Sequence, residues 1–227
     1  MEPKITDVAF NPLTRMDDIQ RYSGTYQVRP ESLAVHICDV TIMAYLISVQ
    51  LTDEFGESLD RGLLLEKCVL HDLDEVITGD IPRNTKYATM EIKSAMDNLQ
   101  DSVLDIVYKY IPNRNIIQLC KDAKHGKEGL ILRLVDLLGV VRKVLIEIRM
   151  CGNLAFLRVV EELLDHLKYL DTLDLSEFNP KSQEWIRALI KDAQNSIMAI
   201  HIKHKTDISD FAIEENVLRA TDYQKDK

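Results

Sequence analysis

The sequence predicts an all-α protein, a single helical bundle. Three observations carry that expectation. Gly (8) and Pro (6) are scarce among 227 residues, too few for the turns of a many-stranded sheet protein. Aromatic residues make up only 6%, while Leu, Ile, Val, Glu, Asp and Lys dominate. Long segments repeat apolar residues at helical spacing and stop near Gly or Pro.

The elements follow in order. Met1 to about Gln20 is mixed in character, and Asp17–Arg21 suits a short helical turn. SGTYQVRP, Ser23–Pro30, reads as loop or extended chain, because Gly24 and Pro30 break helices and Thr25, Tyr26 and Val28 form them poorly. Pro30, Glu31 and Ser32 open a helix in which Leu33, His36, Val40, Met43 and Ile47 recur, running to about Leu51. After the polar link DEFGESLD, the next helix covers Leu63–Ile77 and is ended by Gly79 and Pro82. Lys86–Tyr110 is a long amphipathic helix stopped before Pro112. A shorter helix covers Asn115–Lys124, and HGKEG is a turn. Leu130–Met150 is strongly apolar and central, with Gly152-Asn153 as its stop signal. Two more helices lie near Leu154–Tyr169 and Ser182–Lys203. No repeat or linker interrupts the chain. It reads as one domain over 1–227: a motif-bearing core about 21–153, C-terminal helices about 154–205 and a frayed tail 206–227.

Composition narrows the partners. The formal net charge of −9 opposes a polyanion, and no basic stripe with interleaved aromatics occurs, so a nucleic-acid polymer is not an expected partner. Membrane association is not expected either, since no uncharged apolar stretch looks long enough to span a bilayer. Cys38, Cys68, Cys120 and Cys151 are widely spaced in apolar helical contexts, with no CxxC and no secretory leader. They read as buried free thiols in a cytoplasmic protein.

One stretch resists this bland description. HDLDEVITGDIPRNTK, His71–Lys86, puts a His and four acids (Asp72, Asp74, Glu75, Asp80) within ten positions after an apolar helix. On a helix, His71, Asp72 and Glu75 project into one sector. An imidazole beside a carboxylate suits a divalent transition ion better than Ca, which takes oxygen alone. Two ligands are too few. His36 sits on the inward stripe of its helix, and Asp136 interrupts the apolar run LILRLVDLLGVV, where a carboxylate needs neutralising. Singly, each has an ordinary reading: a hydrogen-bonded core His, or an Asp paired with Arg133. Together with His71 and Asp72 they complete a set of two imidazoles and two carboxylates.

These residues carry a resemblance. H…HD…D in a helical chain resembles the HD-domain metal-dependent phosphohydrolases. RY…VRPESLAVH, HDLDEVITGDIPRNTKY and D…K…E…GN look like the YfbR-like 5′-deoxynucleotidase branch, over roughly Arg21–Asn153. The resemblance implies an HD-domain bundle that binds one divalent ion (Co, Mn, Zn or Mg) through His36, His71, Asp72 and Asp136. It implies that Asp72 and Glu75 serve catalysis, with Glu75 in proton transfer. Arg21 is implied to contact phosphate and Asp80 to hold the sugar. Lys86 and Lys143 are implied as further substrate contacts, and Tyr22 to pack on the deoxyribose. The family usually carries Trp where this chain has Tyr22, which puts selectivity for deoxyribose in question.

The implied activity is removal of the 5′-phosphate from deoxyribonucleoside monophosphates by a homodimer. The alternative is a dATPase-like deoxynucleoside triphosphate triphosphohydrolase releasing triphosphate. A non-catalytic nucleotide-binding helical regulator is the competing class, and the spare carboxylate of Glu75 argues against it.

Overall fold

Ser32 starts the bundle. The computed structural model describes residues 11–86, 88–110 and 113–205; the expected frayed tail lies outside the described residues. The Ser32 hydroxyl accepts the Val35 N–H at 3.3 Å, and helix α1 runs Leu33–Val49, continuing as a π-helical turn over Gln50–Glu54. Asp60 caps α2, Arg61–Leu70, accepting Leu63 N–H at 2.9 Å. The short helices α3 (Glu75–Thr78) and α4 (Arg83–Lys86) lead into α5 (Met90–Tyr110) and α6 (Arg114–Lys121). Helix α7, Gly126–Val144, widens into a π-helical segment over Leu145–Met150. A 3₁₀ turn at Leu154–Phe156 precedes α8 (Leu157–Leu170), and Asn179 with Pro180 opens α9, Pro180–Lys203. The described residues contain no strand, only an isolated bridge between Gln20 and Ser32.

Two boundaries differ from the sequence expectation in a way that matters. The expected helix Leu63–Ile77 breaks after Leu70. Leu73 N–H bonds to Leu70 C=O (3.2 Å) and Glu75 N–H to Asp72 C=O (3.1 Å), so the chain tightens to i→i+3 turns over His71–Asp74. The expected helix Lys86–Tyr110 begins instead at Met90, and Lys86 ends the separate short helix α4.

Helices α1, α2 and α7 pack on one another, and α8 and α9 close the bundle from the α7 side. Val40, Leu51, Leu64, Leu132, Val144, Phe156, Leu167 and Ile190 are fully buried in this main core. A smaller cluster joins Leu13 to Leu73, Val103 and Val107 of α5. The turn after α2 therefore lies between two cores, with Cys68 in one and Leu73 in the other. Helix α1 departs from one expectation. Leu33–Glu54 is 22 residues long with mean hydropathy 1.6 over its best window, enough by length and composition for a membrane span. Here that apolarity serves the core in part: Leu33, Val40, Ala44 and Leu51 are each at 0% exposure, while Val35, Ile42, Tyr45 and Leu46 stay exposed. Of the four cysteines, expected to be buried, only Cys68 is; Cys38 is exposed on α1.

Candidate metal centre and active site

Each site residue arrives by a different local device. His36 lies one turn into α1, inward and 1% exposed. His71 is the first residue beyond α2, and its Nδ1 lies 2.8 Å from the Cys68 carbonyl. A carbonyl only accepts, so Nδ1 carries the proton and Nε2 presents a lone pair. Asp72 follows in the tightened turn. Asp136 comes from the middle of α7, and Gly139 one turn later lies against His36: a Cβ there would sit 3.5 Å from the ring, ordinary contact.

The four side chains converge. One ligand-type atom from each of His36, His71, Asp72 and Asp136 lies within 4.8 Å of the others. His71 Nε2 is 3.1 Å from Asp72 Oδ2 and 3.9 Å from Asp136 Oδ1; His36 Nε2 is 3.3 Å from that same Asp136 oxygen. Both imidazole Nε2 atoms are buried without a hydrogen-bond partner. Two unpartnered imidazole nitrogens facing two carboxylates are what a divalent cation satisfies, so this donor set fits a metal. The electrostatics agree. Burial alone would raise both carboxyls and lower His71. Instead the charges opposite hold Asp72 and Asp136 well below the usual carboxylate range and push His71 up.

Around this group stand the other expected residues. Glu75 is buried, and desolvation plus repulsion from Asp72 push its carboxyl up to about 7, against the pull of Lys86 and Arg21. Lys86 Nζ donates to Glu75 Oε1 at 3.0 Å. Arg21 is buried between Glu31 (3.3 Å) and Asp72 (3.6 Å). A cavity of about 290 Å³ opens beside the centre, with His71, Asp72 and Glu75 on one side, Ile81, Met96 and Leu99 as an apolar wall, and Lys86, Lys121 and Lys124 among its cations.

Three expected substrate contacts are placed differently. Tyr22, expected against the sugar, does not line the cavity; its ring packs on Phe156 at 5.3 Å between centroids and joins the edge of the main core. It is the single non-glycine residue with positive φ (56°) among the described residues, a conformation costing about 1–3 kcal/mol. Asp80 holds it there, accepting the Tyr22 N–H at 3.0 Å, so this carboxylate fixes the Arg21-Tyr22 turn. Lys143, expected to face the cavity, is 2% exposed; its ammonium donates to Glu147 (2.7 Å) and to the Arg29 carbonyl. Seven-residue spacing from Asp136 suggested a shared face, but the loop before Pro30 covers that face.

Sequence reasoning missed three participants. Glu147, fully buried, accepts from Val28 N–H, Arg29 N–H, Lys143 and Asn153, and these donors hold its carboxyl down at about 2 against burial. The motif D…K…E…GN thus pins the loop that carries Arg21. Glu31 orients Arg21 directly, and its place in VRPE was the available signal. Lys124 meets Asp136 at 2.9 Å, and no motif marks it.

The profile of the 5′-deoxynucleotidase YfbR-like family matches residues 9–184. The chain belongs to that family. Within this family, a 5′-deoxynucleotidase of Shewanella oneidensis is 32% identical over 91 residues, 40% of this chain and 47% of that protein; the chain thus spans about half the length of that curated relative. An HD-domain phosphohydrolase from Listeria innocua superposes with a TM-score of 0.64 at 22% identity, covering 88% of this chain and 96% of the other. The cyanophage S-2L HD phosphohydrolase, bound to dA and one catalytic Zn2+, gives 0.50 at 16% identity, covering 85% and 99%. At these identities the superpositions establish the fold, an HD-domain bundle.

Proposed function

We propose that this protein is a metal-dependent phosphohydrolase that removes the 5′-phosphate from deoxyribonucleoside monophosphates, yielding deoxynucleoside and inorganic phosphate. The observation that carries the reading is the buried convergence of His36, His71, Asp72 and Asp136 with both Nε2 atoms unpartnered. These four would hold the ion. When bound, a divalent ion polarises the phosphoryl group and acidifies water. The chain's own residues supply the rest. Arg21, buried beside Asp72 and outside the cavity lining, is the guanidinium that would meet phosphoryl oxygens at the centre. Glu75, poised near 7, gives its proton to the departing 5′-oxygen. Ile81, Met96 and Leu99 offer an apolar wall to the nucleoside. Family membership supports the 5′-monoester as substrate, and the Zn2+-bearing cyanophage relative supports a single transition ion.

A second reading, triphosphate release from deoxynucleoside triphosphates, draws support from the lysines around the cavity, which leave a longer phosphate chain neutralised. One experiment separates them. Purified protein is given each dNMP, NMP and dNTP with Co, Mn, Zn or Mg, and products are resolved by chromatography. Inorganic phosphate from dNMPs is the expected result; triphosphate from dNTPs selects the second reading, and inertness toward the whole panel refutes both. A cytoplasmic homodimer belongs to the same proposal. Support comes from the exposed apolar stripe of α1, Val35, Ile42, Tyr45 and Leu46, 48–61% exposed. Analytical ultracentrifugation tests it.

A further inference from the structure

Lys124 poses a problem of sign. Its ammonium lies 2.9 Å from Asp136 Oδ2, while Oδ1 of the same carboxylate faces the two imidazoles. A cation at that position repels a divalent ion and weakens the site that Asp136 helps to build. Yet the fold places it with care. Lys124 sits in the turn between α6 and α7. Lys67, 6% exposed on α2, donates to the carbonyls of Asp122 (3.0 Å) and His125 (2.5 Å), one on each side of Lys124. Ala123, 2% exposed, anchors the turn from within. Gly129 leaves it room: a Cβ there would lie 2.5 Å from the Lys124 carbonyl carbon. A buried lysine spent on two carbonyls and an obligatory glycine are costly ways to deliver one surface cation.

We propose that Lys124 is a substrate-binding residue, contacting a non-bridging oxygen of the phosphoryl group from the flank of the metal centre opposite Arg21. The inference rests on the phosphohydrolase reading above and names a residue that reading does not need. Three observations point the same way. Lys124 lines the cavity, and its side chain is 44% exposed, so its reach is not exhausted by Asp136. Each carboxylate of the centre has one cation beside it, Arg21 at the Asp72 oxygen that also faces the imidazoles and Lys124 at the far oxygen of Asp136, so an anion at the metal would meet positive charge from two elements. A charge that opposes the metal is useful only to the anion the metal serves.

The rival account makes Lys124 a counter-ion, balancing Asp136 until a metal arrives. The two differ in what phosphate feels. Co2+ binding and, at saturating Co2+, inorganic phosphate binding are measured by calorimetry for wild type, Lys124→Gln and Lys124→Arg. Circular dichroism confirms folding, which the exposure of Lys124 favours. On the proposal, Lys124→Gln binds Co2+ as well as wild type or better, but phosphate about 10- to 100-fold more weakly, the worth of one charge-assisted hydrogen bond. Lys124→Arg recovers most of the loss. Phosphate affinity unchanged in Lys124→Gln overturns the proposal, as does a wild type that binds Co2+ but not phosphate. Neither result touches the proposed function, which is judged by phosphate release from nucleotides. A wild type inert toward every nucleotide, with phosphate binding lost only in Lys124→Gln, sinks that reading and leaves Lys124 as an anion contact.

Discussion

Replacing Glu147 with Gln is the sharpest test of how the site is held. Oε1 accepts from Arg29 N–H (2.9 Å) and Lys143 (2.7 Å), and Oε2 from Val28 N–H (2.9 Å) and Asn153 (2.7 Å). An amide of the same shape turns one oxygen into a donor, so two of the four donors face an N–H₂ whichever way it flips. Two buried donors left unsatisfied cost about 1–3 kcal/mol each, and the Lys143 ammonium loses its counter-charge; the sum is about 3–5 kcal/mol. The depressed carboxyl points the same way: holding it at about 2 instead of 4.5 corresponds to about 3 kcal/mol of stability. The sign follows. That stability is fully present above the unfolded value near 4.5 and is lost as pH falls towards 2. Thermal denaturation should show Tm lowered by roughly 6–20 °C, at 2–4 °C per kcal/mol for a chain of this size. The acid limb of the stability profile between about 4.5 and 2 should flatten in the variant. Because the loop that leads to Arg21 is released, kcat/KM should also fall. A Tm within 2 °C of wild type at pH 7 refutes the clamp. The double change Lys143→Met with Glu147→Leu should regain part of the stability but little of the activity, since Val28 and Arg29 still lack an acceptor.

Three further outcomes are expected. Wild type should be stabilised by Co2+ in a thermal-shift assay, by about 2.7 kcal/mol at one hundred times Kd, and Asp136→Asn should abolish that stabilisation. If Glu75 is the proton donor, Glu75→Gln should lower kcat about 10²- to 10⁴-fold and remove a fall in kcat as pH rises through about 7, where the wild-type carboxyl would lose its proton. Its raised carboxyl also costs stability as pH climbs from 4.5 to about 7, and urea titrations should show that cost gone in the variant. Gly129 and Gly139, both inside α7, should behave oppositely. Gly129→Ala drives a Cβ to 2.5 Å from backbone and should lower Tm, whereas Gly139→Ala meets His36 at 3.5 Å and should raise Tm by roughly 1–4 °C, on a helix gain of about 0.5–1 kcal/mol.

How much of this was legible depends on whether a residue's partner lies on its own element. Asp136 could be read because a carboxylate in LILRLVDLLGVV violates the pattern of its own helix, and His36 because its stripe is otherwise apolar. The helix break at His71 was hidden. HDLDEVI keeps helical spacing, and the tightening to i→i+3 bonds comes from Leu73 being drawn into the smaller cluster while Cys68 stays in the larger. Lys143 was misplaced and Lys124 left unread for the same reason. Spacing put Lys143 on the face of Asp136, but Glu147 and the Arg29 carbonyl, distant in sequence, claim it. Lys124 lies outside every motif, and its position is set by Lys67 and Gly129 across helix boundaries. The charge that looked self-repelling in HDLDEVITGD is instead partitioned: Asp72 against Arg21 and two imidazoles, Glu75 against Lys86, Asp80 against the Tyr22 N–H. These three carboxylates are tolerated because each faces a cation or a donor of its own. Both Nε2 atoms remain without a hydrogen-bond partner, and the proposed function turns on an ion that satisfies them.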